Sequence, residues 1–223
     1  MKFNLFNRRR FLGLFPLGLG ARVVNVLAQN ADEEHTTGIS QSPTPSRDFI
    51  PDIELELAAT ETRTQIFPGS PTRLWQYQAK LLKGNQSSVS TLPGGQVPVI
   101  RIKNQQRIRV FFKNELPEPT IVHWHGLHIR QKMDGHPMYT INPGQQFVYE
   151  FQINNRAGTY WFHPHPHRRT GIQVYRGLSG VFIVEDDEET NAGLPKNEYE
   201  LTWVIQDRRF NQDNQLVYAA NHM

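Results

Sequence analysis

Apolar and polar positions along this chain alternate with a period of two. Ile53-Glu54-Leu55-Glu56-Leu57 alternates strictly, and Thr62 to Phe67 continues the pattern. Every second side chain then falls on one face, as in a strand with one wall against a core. Arg73 to Ala79 alternates again. Val97 to Lys103 and Arg107 to Lys113 flank Asn104-Gln105-Gln106, and Gln146 to Ile153 follows Asn142-Pro143-Gly144. Pro68-Gly69-Ser70-Pro71, Leu92-Pro93-Gly94-Gly95 and Asn155-Arg156-Ala157-Gly158 separate such runs with turn-forming residues. Gly171 to Tyr175 and Leu178 to Val184 read as further strands. Val181-Phe182-Ile183-Val184 shows no polar alternation, so that strand is expected to be buried on both faces. About ten short strands with turns between them predict an all-β sandwich or barrel.

The ends of the chain read differently. Glu185-Asp186-Asp187-Glu188-Glu189 reads as a solvated linker. Glu198 to Gln206 then begins a fresh strand, as though a second domain starts over 188–223 and has no room to finish. At the other end, Asn7-Arg8-Arg9-Arg10-Phe11-Leu12 leads an apolar run to Leu19, and Val26-Leu27-Ala28 offers small residues for cleavage. Paired arginines before Phe-Leu resemble a twin-arginine export signal over 1–28. The run is broken by Gly13, Pro16, Gly18 and Gly20 and is too short for a stable membrane span. Residues 29–47 are polar with Pro43 and Pro45, a disordered leader to a domain spanning 48–187.

Charge and cysteine content exclude several classes. The chain has 223 residues and a formal charge of +3, but five of its basic side chains lie in the first 28 residues, which hold no acid. The remainder carries 19 basic against 21 acidic side chains, so a nucleic-acid role finds no electrostatic support. There is no cysteine, which removes disulfides, cysteine-based zinc sites and thiolate copper sites within this chain.

The candidate chemistry lies in two histidine pairs. Thr120-Ile121-Val122-His123-Trp124-His125-Gly126 and Gly158-Thr159-Tyr160-Trp161-Phe162-His163-Pro164-His165 each carry His-x-His inside a β-branched and aromatic run. Residues two apart on a strand share a face, so adjacent strands would gather four imidazoles on one patch. Buried together without a metal, unpaired ring nitrogens would cost roughly 1–3 kcal/mol each. Imidazole suits zinc, copper, iron and nickel. Trp124 and Trp161 are expected to pack in the core behind the ligands. His167 would share the face of His165 if the strand persists, His128 falls on the opposite parity from His125, and His136 sits beside Pro137. With the terminal His35 and His222, these three are left outside the ligand set.

These motifs resemble those of the first domain of multicopper oxidases, the family of laccases, bilirubin oxidases and copper-efflux oxidases. Met133-Asp134-Gly135, Ile141-Asn142-Pro143-Gly144 and Gln173 to Gly180 agree in order, and Leu194-Pro195 with Val204 to Arg208 looks like entry into the next domain. The resemblance implies a Greek-key fold of cupredoxin type. It implies copper as cofactor, with His123 on the type 2 ion and His125, His163 and His165 on the type 3 pair. Asp134 matches a residue that orients water and relays protons; as a bare sequence feature it is also a turn residue before Gly135. The implied reaction couples oxidation of a small donor, a phenol, a pigment or cuprous ion, to reduction of dioxygen to water.

Two departures qualify the resemblance. Arg168 and Arg169 stand where the family usually has glycine after the third histidine, and are expected to add positive potential and disturb the bend. The family also takes four more histidines and the type 1 copper ligands, one a cysteine, from its last cupredoxin domain. This sequence has no such block, so it is expected to bind copper weakly alone and to turn over little. The alternatives are a stand-alone periplasmic copper-binding module and one subunit of a split oxidase. A closed four-histidine zinc site would leave no position for a hydrolytic water, and a copper nitrite reductase would need a cysteine.

Overall fold

The computed structural model describes residues 44–195 and 199–218. The export segment and most of the leader lie outside these residues, as does Glu198. The described residues form two β-sheets packed face to face. One sheet runs β2 (Thr72–Lys83), β1 (Ile53–Thr64), β5 (Arg107–Asn114), β7 (Gln146–Gln152). The other runs β3 (Val89–Thr91), β4 (Pro98–Lys103), β9 (Gly180–Glu185), β8 (Gly158–Pro164), β6 (Val122–His125). Strands β5, β6, β7 and β8 alternate between the sheets, and β1 pairs parallel with β5 as β4 does with β9. This is the all-β Greek-key sandwich expected.

The period-two pattern explains the core. Leu55 and Leu57 of β1 stand beside Val110 and Phe112 of β5, which stand opposite Tyr149 and Phe147 of β7. All six are buried, and rows of apolar side chains therefore cross the sheet. Trp124, Phe162 and Phe182 meet them from the other sheet. Strand β9 is buried on both faces as expected. Phe182 and Val184 join the main core, while Val181 and Ile183 pack outward on Val99, Leu92 and Val97. On the outer face of the first sheet, Arg109 binds Glu54 and Glu150, each at 2.6 Å. It also donates to the carbonyls of Ser46 and Phe49, which fixes the entry to β1.

Three sequence expectations fail. Gly171 to Tyr175 is not a strand but part of helix α1 (Thr170–Arg176). Its alternating Ile172 and Val174 mimic a strand, and so short an apolar run does not distinguish the two. Tertiary contacts decide: Gln173 is fully buried, and Gly177 at φ +124° ends the helix. The acidic run is not wholly linker either. Asp186 accepts from the Glu189 amide at 2.8 Å and caps helix α2 (Asp187–Asn191), whose three N-terminal acids suit the positive end of the helix. Finally, of the strand expected over Glu198 to Gln206, the described residues 199–206 form none. Their apolar alternation pairs with no strand among the described residues, and Tyr199, Leu201, Trp203 and Ile205 stay exposed. No helix among the described residues is long and apolar enough to cross a membrane.

Candidate metal centre

Strand β6 lies at the edge of the second sheet and, among the described residues, pairs only with β8, antiparallel. The register sets His123 directly opposite His163 and His125 opposite Trp161. Directly opposed side chains share a face, so His123, His125 and His163 come together. His165 lies one residue beyond β8, but its amide donates to the Ile121 carbonyl at 3.0 Å and holds it alongside. The His123 ring centroid lies 5.5, 5.2 and 5.0 Å from those of His125, His163 and His165. His125 and His163 are 5.4 Å apart. One nitrogen from each of His123, His125 and His163 lies within 4.8 Å of the others. His165 belongs to the same patch but stands outside that triad, its ring 6.1 Å from His163.

Main-chain carbonyls set the orientation of three rings. His123 Nδ1 contacts the Asp134 carbonyl at 2.6 Å, His163 Nδ1 that of Pro164 at 2.9 Å, and His165 Nδ1 that of Gly135 at 3.3 Å. A carbonyl only accepts, so each contact calls for the proton on Nδ1 and leaves the Nε2 lone pair free to bind a cation. His125 differs. Its Nδ1 lies 3.2 Å from His163 Nε2, two nitrogens placed to share a proton or a cation. A set of imidazoles presented in this way fits a borderline-soft transition metal such as copper or zinc.

The loop carrying two of these carbonyls sits between two single 3₁₀ turns, Gln131–Met133 and Pro137–Tyr139. Gly135 fixes it against β6. Its φ is +71°, and a Cβ there would lie 1.8 Å from the Val122 carbonyl oxygen. Behind Val122, the Tyr149 hydroxyl accepts from the Val122 amide at 3.0 Å and donates to its carbonyl at 2.9 Å. The residue before His123 is thus held from both sides.

Electrostatics favour the neutral ring at His163 and His165. Burial pushes the His163 pKa down to about 4, and the neighbouring imidazoles add to the effect. Burial also lowers His165, helped by His123. Asp134 moves the other way: burial raises its carboxyl above the ordinary value, against the pull of His123 and His165. Its Oδ1 lies 3.2 Å from His123 Nδ1 but accepts no hydrogen bond, because that N–H points to the backbone carbonyl instead.

Trp124 is buried as expected, but Trp161 is not. Residue 161 has the parity of 163, so it shares the histidine face. Its ring stacks on His163 at 4.2 Å and on His125 at 5.1 Å, and it is 39% exposed. Phe162 takes the core position instead, over Gly180, where a Cβ would meet the ring at 1.9 Å. The other described histidines stay outside the cluster, while His35 and His222 lie outside the described residues. The strand does not persist to His167, which is exposed in a turn; His128 is exposed; His136 accepts from the Met138 amide at 3.3 Å. The bend after His167 survives without glycine because Arg168 adopts a left-handed φ of +57°. Arg169 pairs with Glu118, which offsets its charge. The orienting carbonyls and Tyr149 escaped the sequence reading. A carbonyl has no sequence signature, and the only clue was a glycine after Asp134.

Residues 75–189 match the family model described as multicopper oxidase. The chain is 37% identical over 134 residues to the multicopper oxidase mco of Staphylococcus aureus, covering 60% of this chain and 30% of that protein. It is 35% identical over 185 residues to copper resistance protein A of Escherichia coli, covering 82% of this chain and 26% of that one. Its fold is similar to that of the McoA multicopper oxidase from Aquifex aeolicus, with a TM-score of 0.66 at 35% identity over 77% of this chain and 36% of that one. The chain therefore spans about a third of the length of these relatives, and its two sheets are of the cupredoxin type found in them.

Proposed function

From the premise that this chain belongs to the multicopper oxidase family, we propose that it supplies one histidine half of a copper centre that reduces dioxygen to water. In this reading His123 serves the type 2 ion, and His125, His163 and His165 serve the type 3 pair. The observation that carries it is the convergence of three imidazole nitrogens within 4.8 Å, with a fourth ring 5.0 Å from His123. Bound copper supplies the one-electron redox steps by which four electrons reach dioxygen.

The chain's own residues do the rest. The carbonyls of Asp134, Pro164 and Gly135 fix the ring tautomers. Burial keeps His163 neutral, the form that binds metal. The Asp134 carboxyl, raised by burial and placed beside His123, is suited to hold and pass a proton. The other ligands, and a type 1 site needing a cysteine this sequence lacks, come from a further cupredoxin domain in cis or in trans. The donor is a phenol, a pigment or cuprous ion. Residues 1–28 direct export, 48–187 form the ligand-bearing domain, and 188–223 lead into the next.

A second reading has one observation in its favour. The triad of His123, His125 and His163 is complete within this chain, so the chain could bind copper as a stand-alone module. Copper titration followed by oxygen uptake with a phenolic donor separates the two. The proposed function expects copper bound by the isolated chain with little turnover, and turnover once a histidine- and cysteine-bearing partner domain is added. Copper binding with no gain from the partner favours the module. Absence of copper binding would remove both.

A further inference from the structure

Gln173 is a fully buried polar side chain in α1, eight residues beyond His165. Its Oε1 accepts from the Thr120 hydroxyl at 2.8 Å. Its Nε2 donates to Glu118 Oε1 at 2.8 Å and to the Pro119 carbonyl at 2.9 Å. One side chain thus uses its amide to hold three successive residues, 118 to 120, which lead into β6 and His123. Thr120 cannot drift on its other side, because its amide and carbonyl both pair with Ile141, at 3.0 and 2.9 Å. Arg169 and Arg176, before and at the end of α1, bind Glu118 as well.

The position of this network suggests its role. The segment leaving β8 carries His165 and runs into α1, while the segment entering β6 leads directly to His123, the second residue of that strand. Only one direct backbone bond, from the His165 amide to the Ile121 carbonyl, joins the two beyond the end of the β6–β8 ladder. His165 is also the ring left outside the tight triad. Its distance to the others is therefore set by how the two segments are offset, and Gln173 clamps that offset.

We propose that Gln173, acting through Thr120, is a positioning residue that keeps His165 within reach of the metal held by the other histidines. The inference rests on the copper reading above for its metal arm, but its structural arm does not. Loss of the clamp frees the offset while the β6–β8 pairs that assemble His123, His125 and His163 remain.

The test compares Thr120→Val, which removes the hydroxyl at nearly constant volume, with Thr120→Ser, which retains it, and with Gln173→Leu. In the metal-free chain, amide exchange at His165 is expected to speed up roughly tenfold or more in Thr120→Val and Gln173→Leu, with β1 and β5 amides unchanged and Thr120→Ser near the original. In the copper-loaded chain, the same two variants are expected to lose roughly tenfold or more in copper affinity and to shift the copper EPR spectrum. A lower melting temperature with unchanged His165 exchange and unchanged copper affinity would overturn the proposal and leave Gln173 a purely structural residue. Should Gln173→Leu fail to fold, the Thr120 pair alone decides. If the unmodified chain binds no copper, the copper reading fails, and the exchange result still stands for or against the clamp.

Discussion

Substituting Gly135 by alanine tests how the loop at Asp134–Gly135 supports the histidines. Two costs add. The residue sits at φ +71°, where an L side chain costs about 1–2 kcal/mol. The new Cβ would also fall 1.8 Å from the Val122 oxygen and 2.4 Å from its carbon. Both are main-chain atoms, and Tyr149 pins them from behind, so the loop must move instead. Overpacking of this kind costs about 1–3 kcal/mol. The total is about 2–5 kcal/mol, which in a chain of this size lowers Tm by roughly 5–15 °C. Gly144 is the internal control. It has φ +79° with nothing within 4 Å of a built Cβ, so Gly144→Ala carries only the conformational cost, about 1–2 kcal/mol. Urea unfolding followed by circular dichroism measures both. Because the displaced loop carries the carbonyls that orient His123 and His165, Gly135→Ala is also expected to weaken copper binding while Gly144→Ala does not. Equal destabilisation by the two alanines would refute the reasoning.

Other predictions follow from the same structure. Arg168→Gly relieves a left-handed backbone at φ +57° and is expected to leave Tm unchanged or raise it by a few degrees, about 1 kcal/mol less the added unfolded-chain entropy; a clear loss on thermal melting would mean that the arginine side chain stabilises the bend. The metal-free chain is expected to lose stability as pH falls below 6.5. Burial holds His163 near pKa 4, so the unfolded chain takes up its proton first, and about 3 kcal/mol is lost by pH 4. His165 acts in the same direction. Asp134, raised in the fold, acts in the opposite one. Urea melts at pH 7 and 4.5 should therefore differ less for His163→Gln than for the original chain; an identical pH slope would contradict this. Asp134→Asn keeps the backbone carbonyl that orients His123, so copper affinity measured by titration should change less than about tenfold, or 1.4 kcal/mol; a larger loss would make the carboxylate itself a ligand.

The strand pattern was legible wherever one face of a strand met the core. Leu55, Val110 and Tyr149 fall into register because a period of two leaves them no other face. The histidine patch was legible for the same reason, and parity alone would also have placed Trp161 beside His163 rather than in the core. What remained hidden depends on contacts distant in sequence. Helix α1 forms where an alternating run suggested strand, because Gln173 finds partners more than fifty residues away. The outer position of His165 follows from the end of β8 at Pro164, which the motif does not mark. The apolar residues of 199–205 alternate like a strand but find no edge among the described residues, and alternation alone cannot supply one.

The most direct measurement is anomalous diffraction at the copper edge from crystals of the chain grown with copper. The account predicts a peak among the rings of His123, His125 and His163, with His165 at its margin, and loss of that peak in His163→Ala. A copper peak only at His128, His136 or His167, or one that persists unchanged in His163→Ala, would contradict it.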